Sequence, residues 1–364
     1  MESIRQACPF FHEHVNAFRK GLMFFQVSIN IAGSNLKREA LEAGGDMQPA
    51  PPGPMTVLRD ALVMPLRGTL NRFSGGVFQG EDCQPASLLW RNREPRLDGR
   101  PAPPEAVRQA LGVDSGAAGG RADRLKGAYL FGGYLFRHYG HFLIESLSRL
   151  YALKQCAALP IVFSSTHRDI LPWQRDVFKL LALRNPICLL TRPAIADQLM
   201  LAAPGFALPD IVMPEQIEAL GALPSPQRSD KKIWLSRGSY IGGGLHGERA
   251  LEPHLQALGW EIVHPQFLPI RKQVELIASS ARVAGLDGSA FHTALLAREI
   301  LGRFTIFFLR NMGDHAYTQV ARMKGFAQDE IPLAGQVRFL AGQGAERFYR
   351  LDGVETVLEA LRGD

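Results

Sequence analysis

Residues 260–297, WEIVHPQFLPIRKQVELIASSARVAGLDGSAFHTALLA, decide the fold. Residues 260–264 and 282–286 are short apolar runs typical of buried strands, and 270–280 and 291–297 have the three- and four-residue spacing of helices. Strands that alternate with helices predict a parallel sheet with crossover helices. The alternation continues outward, with strands predicted at 233–236 and 304–309 and helices at 251–258, 317–324 and 354–362.

The same alternation occurs earlier in the chain. An apolar, aromatic strand is predicted at 127–136, followed by a helix at 140–155, and the series then continues with a strand at 159–164, a helix at 173–183 and a strand at 186–190. Residues 221–230, GALPSPQRSD, have the composition of an interdomain linker. The sequence therefore predicts an α/β chain of two doubly wound halves joined by a linker, with a ligand cleft between them.

Four domain ranges follow from these patterns. Apolar residues spaced by three and four, with basic residues alongside, predict a helical N-terminal extension over 1–50 that packs on the body or a second subunit, or lies on a membrane. Residues 51–225 form the N-terminal Rossmann-like domain, starting with hairpins or irregular strands and an excursion loop at 91–125. Residues 226–345 form the C-terminal Rossmann-like domain, and 346–364 a terminal helix.

Composition narrows the functional class. The chain has 364 residues, 46% of them hydrophobic, and a net charge of +6, which fits a two-domain globular protein with an anionic ligand. The basic residues are dispersed and no nucleic-acid-binding module is recognisable, so we expect no nucleic-acid partner. The four cysteines form no CxxC pair. Without a secretory signal or an apolar run of about 20 residues, we expect a cytoplasmic protein, with peripheral association at the inner membrane as an option.

The first group of candidate residues follows the strand predicted at 127–136. On a regular helix His141, Glu145 and Ser148 share one face, because each residue turns by about 100°. His and Glu are the usual proton-transfer groups, which makes His141 and Glu145 candidate catalytic residues. A solvated helix face with an i,i+4 pair is the alternative. We assign to the acceptor side His138, Tyr139 and Arg149, the last at the margin of the polar face.

The second group, Ser236 and Arg237, ends the strand predicted at 233–236. Arg offers planar, bidentate donors that suit phosphate oxygens. The glycine-rich turn 241–244 lets backbone approach a ligand closely, although a purely structural turn explains it equally well.

The third group spans Asp287 to His292, where a strand passes through a small-residue turn into a helix. Free N–H groups at Gly288, Ser289 and Ala290 would make an anion site, with Ser289 as the helix cap. Asp287 is the third candidate base, and His292 is a donor-side or packing residue. A capped turn without a ligand is the alternative. No HExxH or Asp-x-Asp motif occurs, so we expect no metal and assign the donor's charge to Arg237 and this helix start.

At these three segments the chain resembles glycosyltransferase family 61. The resemblance rests on Tyr139-Gly140-His141 with Glu145, on Ser236-Arg237 followed by Arg249 and Glu252, and on the turn Gly285–Ala290. It covers roughly residues 55–310, and Asp287 stands where the family usually carries His. The resemblance implies a glycosyltransferase B fold and inverting, metal-independent transfer. It also implies a nucleotide-sugar donor, often UDP-linked, and a role in bacterial capsule, surface polysaccharide or lipopolysaccharide synthesis. It adds Arg249 to the donor-binding residues.

The mechanism expected is a single in-line displacement. A hydroxyl of a glycan acceptor loses its proton to His141, Glu145 or Asp287, and Arg237 with the N–H groups of Gly288–Ala290 stabilises the departing diphosphate. Two alternatives stay open. One is a polysaccharide pyruvyltransferase that uses phosphoenolpyruvate on the same anion site. The other is a non-catalytic glycan-binding or partner subunit.

Overall fold

A computed structural model describes most of the chain from Met55 onward. The described residues are 55–69, 72–80, 82–88, 96–97, 100–101, 122–156, 158–207, 211–224, 226–238, 245–309, 315–333, 335–341 and 348–362. The helical extension predicted over 1–50 and the glycine-rich turn 241–244 lie outside these residues, and both stay predictions.

The described chain separates into two compact units, one ending at Ala219 and the other beginning at Leu220. Both combine helices with sheets that contain parallel strands, which confirms the α/β class and is compatible with a glycosyltransferase fold.

The first unit is built on one seven-stranded sheet with the order β3-β2-β1-β9-β6-β7-β8. Its strands are β1 Met55–Thr69, β2 Arg72–Gln79, β3 Asp82–Cys83, β6 Asp123–Tyr134, β7 Ile161–Ser164, β8 Ile187–Leu190 and β9 Ala194–Ala202, and the short pairs β4 Arg96–Leu97 with β5 Arg100–Pro101 and β10 Phe206–Ala207 with β11 Ile211–Val212 lie outside it. Its helices are α1 Tyr139–His141, a π-helix Phe142–Ser146, α2 Leu150–Leu153, α3 Pro172–Leu180 and α4 Pro214–Leu220, with short 3₁₀ turns at Pro85–Ser87 and Lys154–Cys156.

This sheet is parallel only in its second half. Strands β9, β6, β7 and β8 run parallel, whereas β1 pairs antiparallel with both β2 and β9. The hairpins predicted in the first part of the domain are thereby confirmed, and the parallel strands predicted after residue 127 are present in the same sheet. The apolar face of the sheet is filled by buried aromatic and branched residues such as Tyr129, Phe131 and Val162.

The second unit has a five-stranded, wholly parallel sheet with the order β14-β12-β15-β16-β17. Its strands are β12 Ser229–Leu235, β14 Trp260–Val263, β15 Ser280–Leu286, β16 Arg303–Phe308 and β17 Gln328–Pro332, beside a small sheet of β13 Leu245–His246, β18 Val337–Ala341 and β19 Phe348–Leu351. Its helices are α5 Glu248–Ala257, α6 Ile270–Ser279, α7 His315–Lys324 and α8 Val354–Arg362, with 3₁₀ helices at Pro265–Phe267 and Ser289–Leu296.

Strand order in this sheet determines where a ligand would bind. From β12 the chain first adds β14 on one side and then returns to place β15 on the other. In sequence order this is the 2-1-3-4-5 arrangement, whose topological switch point lies between the first and third strands. The carboxyl ends of β12 and β15 therefore flank the crevice at which sheets of this type bind ligands.

Amphipathic helices and two tryptophans fill the core of the second unit. Trp234 of β12 and Trp260 of β14 are buried together with leucines of α5 and α8. The strands and helices predicted from 233 to 309 are confirmed, with one exception. The helix predicted at 291–297 is a 3₁₀ helix, Ser289–Leu296. Within the described part of the chain, no helix is long and apolar enough to cross a membrane.

Candidate active site

The carboxyl end of β6 leads directly into an irregular helical segment. Its first turn, Tyr139–His141, is α-helical, but Phe142–Ser146 is a π-helix in which the Leu147 N–H donates to the Phe142 carbonyl. The regular helix predicted at 140–155 is therefore wrong, since α2 starts only at Leu150. π-Bulges of this kind are often found at functional sites. The hydroxyl of Ser146 accepts from the Phe136 N–H at 2.9 Å and ties this segment to the strand end.

The structure brings His141 and Glu145 into direct contact. Their Nδ1 and Oε1 atoms are 2.5 Å apart, and the side chains are 16% and 2% exposed, respectively. The imidazole also packs against the rings of His138, at 4.9 Å between centroids, and Phe136, at 5.6 Å. A buried carboxylate bound to Nδ1 sets the ring's orientation and leaves the Nε2 edge as the one that can accept a proton. This is a base–orienter pair of the kind that general-base catalysis needs.

The two aromatic residues assigned to the acceptor side lie at the start of this segment. His138 is exposed and is the residue before α1, and its Nδ1 faces the His141 N–H at 3.5 Å. Tyr139 is partly buried, with its ring edge-on to Trp173 of α3 at 5.4 Å. His138 therefore flanks the His141 ring from the exposed side, whereas Tyr139 packs against α3.

Arg149 does not lie at the margin of an exposed polar face. It is 2% exposed, and its guanidinium donates to the backbone carbonyls of Ala202 and Ala86. Ser148, predicted on the same polar face, is buried as well. Because the π-helix shifts the register after Glu145, these side chains turn inward. Burial lowers the pKa of Arg149 to about 10. The assignment of Arg149 to the acceptor side is therefore corrected: its buried guanidinium links β9 to the turn at Ala86.

In the second unit, Ser236 and Arg237 follow β12 at the topological switch point. The Arg237 Nη1 donates to the backbone carbonyl of Asp287, which follows β15, at 2.7 Å. Gly288 lies directly under the arginine, since a Cβ on it would come 3.4 Å from the Arg237 Cδ. The two predicted donor-binding segments are thus brought together at the crevice that the strand order specifies.

Two acids of α5, Glu252 and Glu248, hold the end of β12. Glu252 accepts a hydrogen bond from the Ser236 hydroxyl at 2.7 Å, and that hydroxyl accepts from the Gly238 N–H at 3.0 Å. Arg249 is exposed and its Cγ lies against Gly238, where an added Cβ would come within 2.9 Å. The Arg249 guanidinium is therefore carried on the helix that packs beside this turn.

Glu248 is a site residue that the sequence reasoning missed. It is fully buried, and its Oε1 accepts from the Trp234 indole N–H at 3.1 Å and from the Arg237 backbone N–H at 3.0 Å. The Oε2 atom has no hydrogen-bond partner within the described residues. Burial raises the pKa of this carboxyl from 4.5 to about 7. In the sequence, the feature that could have identified Glu248 is an acid at the first position of a helix, directly after a glycine and eleven residues beyond Arg237.

The positions of Asp287 and Ser289 bear on their predicted roles as a base and as a helix cap. The Asp287 Oδ1 accepts from the Leu309 N–H at 3.2 Å, which ties the end of β15 to the end of β16. Ser289 is the first residue of the 3₁₀ helix and Gly288 precedes it, so the prediction that Ser289 caps this helix is wrong. The Ala290 N–H belongs to the same first turn, where backbone donors lack partners within the helix.

His292 is buried and stacks on Tyr317 of α7, with 4.6 Å between ring centroids and 18° between planes. The Tyr317 hydroxyl in turn donates to the Gly288 carbonyl at 3.0 Å. His292 therefore supports the turn at Gly288 through Tyr317, in keeping with the packing role that was one of two options predicted from the sequence. In the part of the chain that the structure describes, no group of three or more His, Cys, Asp or Glu side chains could hold a metal ion.

Comparison with known proteins identifies a family for the stretch that carries these residues. Residues 139–300 match the model of the family described as Glycosyltransferase 61. The match begins at Tyr139, beside the His141–Glu145 pair, and continues beyond the Asp287–Ala290 turn, so it includes both candidate sites. No curated protein matches the chain at the significance required. The match supports assignment of this stretch to family 61, and the chain is a glycosyltransferase.

Proposed function

We propose that this glycosyltransferase moves a sugar from a nucleotide-sugar donor to a glycan acceptor, with inversion and without a catalytic metal. One observation supports the donor site above all. Arg237 and Gly288, from segments fifty residues apart in the sequence, meet at the switch point of a wholly parallel sheet. This is the position at which such sheets bind ligands. A guanidinium beside backbone donors suits a diphosphate.

Arg237 would carry the charge of the leaving group. Its backbone is fixed by Glu248 and one guanidinium nitrogen by the Asp287 carbonyl, so the side chain is held in one orientation before a ligand arrives. A hydrogen-bond donor that is already held in place does not have to reorganise as charge develops on the leaving oxygen. Such preorganisation is usually the largest single contribution to the rate enhancement. Arg249, on the neighbouring helix, would add a second cation. Neither role requires a metal, in keeping with a sequence that has no Asp-x-Asp motif.

His141 is the base that the geometry favours. Glu145 is 2% exposed and bound to the Nδ1 of His141, so it is better placed to orient the ring than to touch an acceptor. In the proposed step the acceptor oxygen forms its bond to the anomeric carbon as the bond from that carbon to the diphosphate oxygen breaks. The hydroxyl proton passes to Nε2 of His141, and the anomeric configuration inverts. Asp287 is a weaker candidate because its Oδ1 accepts from the Leu309 N–H.

Several finer assignments belong to the same proposal. We propose a glycosyltransferase B fold for the two units, a UDP-linked donor without other cofactors, and synthesis of bacterial surface polysaccharide, capsule or lipopolysaccharide. We also propose a cytoplasmic location, with association at the inner membrane or dimerisation through residues 1–50. The composition, the net charge of +6 and the family resemblance support these points. The alternatives of a pyruvyltransferase and a non-catalytic subunit receive no support from the family match.

The donor site is tested by nucleotide titration. Thermal shifts and calorimetry with UDP, GDP, CMP and phosphoenolpyruvate, each with and without EDTA, should show an EDTA-insensitive shift with one nucleotide. At 100 times its Kd, a ligand stabilises a protein by about 2.7 kcal/mol. Arg237→Ala should weaken that nucleotide at least tenfold.

The matched control is Arg271→Ala, an arginine on α6 whose side chain is 65% exposed, and it should bind as the wild type does. Unchanged nucleotide affinity in Arg237→Ala would move the phosphate site elsewhere. A shift with phosphoenolpyruvate alone would overturn sugar transfer in favour of pyruvyl transfer. Chelation that abolishes binding would overturn the metal-independent mechanism.

A further inference from the structure

An exposed aromatic side chain lies at the same sheet edge as the proposed phosphate site. Phe267 is 69% exposed, the highest value among the large apolar residues that the structure describes. It ends the short 3₁₀ helix Pro265–Phe267, which follows β14 directly. The exposed face of this ring is open to a planar ligand that approaches the sheet edge.

Backbone hydrogen bonds hold the turn that carries Phe267 in a fixed place relative to β12. Strands β14 and β12 are parallel neighbours with Val263 opposite Leu235, and the Ser236 N–H donates to the Val263 carbonyl at 2.8 Å. The Phe267 N–H donates to the His264 carbonyl at 3.1 Å, which closes the turn. Since adjacent strands are about 4.8 Å apart, the turn lies one strand spacing from the turn that carries Arg237.

Side chains connect the same two turns. The Ser236 hydroxyl donates to Oε1 of Glu252, and that oxygen is 4.0 Å from Nε2 of His264. The His264 ring in turn packs against Phe267, with 6.2 Å between centroids. The series Ser236, Glu252, His264 and Phe267 therefore leads along the sheet edge from the phosphate site to the exposed ring.

We propose that Phe267 is the stacking surface for the nucleobase of the donor. This inference rests on the proposed function, since it takes the diphosphate to lie at Arg237. A nucleoside attached to that diphosphate spans the distance of one strand spacing and reaches the β14 turn. A flat π-face accepts any base, so Phe267 would supply affinity for a nucleotide over a bare diphosphate, while selection among bases would come from other contacts.

The test compares a nucleotide with its phosphate portion. Dissociation constants are measured by calorimetry for UDP, GDP and inorganic pyrophosphate with the wild type, Phe267→Ala, Phe267→Trp and Phe339→Ala. Phe339 is a matched control, because it is 54% exposed in the same unit but lies on β18 of the small sheet. Removing one base–aromatic stack should weaken the nucleotide by about tenfold to a hundredfold. Pyrophosphate affinity should stay within about twofold of the wild type.

Phe267→Trp adds a readout that does not depend on affinity. It should keep nucleotide affinity, and its new fluorescence should be quenched by the nucleotide and unaffected by pyrophosphate. If the wild type binds UDP or GDP and Phe267→Ala binds it equally well, the stacking role is overturned while the donor site stands. If the wild type binds pyrophosphate but neither nucleotide, both the stacking role and the nucleotide-sugar donor are overturned.

Discussion

The ends of β6 and β12 use the same residue types in opposite ways. After β6, Arg149 is buried on backbone carbonyls and Glu145 is buried against His141, whose ring stays partly exposed. After β12, a carboxylate is buried under the backbone, and Arg237 stays near the surface. In each unit a buried ionisable group positions the strand end, and a less buried group, His141 or Arg237, is left for chemistry. The first site is therefore suited to taking a proton and the second to holding an anion.

The largest expected effect follows from the first half of this comparison. Replacing His141 with Ala should lower kcat by about 10²–10⁴-fold with donor affinity little changed, because it removes the proton acceptor but no donor contact. Glu145→Gln should lower kcat less, since an amide can still hold the ring. Asp287→Asn should leave kcat near that of the wild type.

Steady-state transfer assays together with nucleotide Kd values check this order. Near-full kcat in His141→Ala would remove it as the base. If Asp287→Asn showed the largest loss, the base would belong to the second unit, and the division of roles between the two strand ends would be wrong. If all three variants kept near-full kcat, the whole assignment would fail.

The next effect concerns the space that Arg149 occupies. Gly133 of β6 has φ of +98°, and a Cβ there would come 2.6 Å from the Arg149 Nη1. Gly133→Ala should lower the free energy of unfolding by about 4 kcal/mol, from backbone strain and overpacking together. Gly259 after α5 also has positive φ, +83°, but nothing lies within 4 Å of its added Cβ.

Gly259→Ala is therefore the control and should cost only the strain, about 1–2 kcal/mol. Denaturant unfolding of both variants measures the difference. Equal losses would mean that Arg149 moves aside at little cost and does not hold the strand end rigidly.

How well the sequence predicted the structure differed between the two units for a physical reason. In the second unit, helices α5 and α6 present one apolar stripe to a parallel sheet, so their periodicity and their burial agree. After β6 the segment is buried on all sides. Leu143 and Leu147 are 0% exposed, and Ser148 and Arg149 are buried as well, so periodicity no longer reports which face is inside. The π-helical turn adds one residue to the helical repeat, and no local sequence propensity predicts it.

The candidate sites show the same limit. The positions of Ser236, Arg237 and Asp287 followed from strand ends, which apolar runs mark clearly. Glu248 was missed because its role depends on Trp234 and on the backbone of Arg237, contacts that only the folded chain creates. The nine-residue strand β9 was also missed, since AIADQLMLA mixes polar and apolar residues. Its pairing with β1, more than one hundred residues earlier, stabilises it.

Glu248 provides a test of moderate size. Its folded pKa is raised, so the folded state keeps the proton between pH 4.5 and about 7 while the unfolded state releases it. The stability that this group contributes is complete below pH 4.5 and is lost as pH rises through about 7, on the order of 3 kcal/mol. Glu248→Gln keeps the Oε1 acceptor and has no proton to lose. Relative to the wild type it should therefore gain stability between pH 5 and pH 8.

Guanidinium unfolding followed by tryptophan fluorescence measures this gain, since Trp234 and Trp260 lie in the core of the same unit. Glu261→Gln is the control, because this acid is 48% exposed and pairs with Lys231. A pH-independent difference between wild type and Glu248→Gln would show that the carboxyl is ionised throughout and that Arg237 is held by a charge.

The smallest effect compares two lysines that each donate to a backbone carbonyl, Lys154 to Ala219 and Lys324 to Ala297. Burial lowers the pKa of both, that of Lys324 to about 8. Above pH 8 the folded state releases this proton before the unfolded state does, so Lys324 adds stability as pH rises from 8 towards 10.5, by about 1 kcal/mol once solvent screening is counted. Lys324→Met should remove that rise, whereas Lys272→Met, an exposed lysine on α6, should keep it. If Lys324→Met kept the rise in stability, the Lys324 ammonium would be solvated in the folded state. Among these ionisable groups, the second unit would then bury the carboxyl of Glu248 but no cation comparable to Arg149 of the first unit.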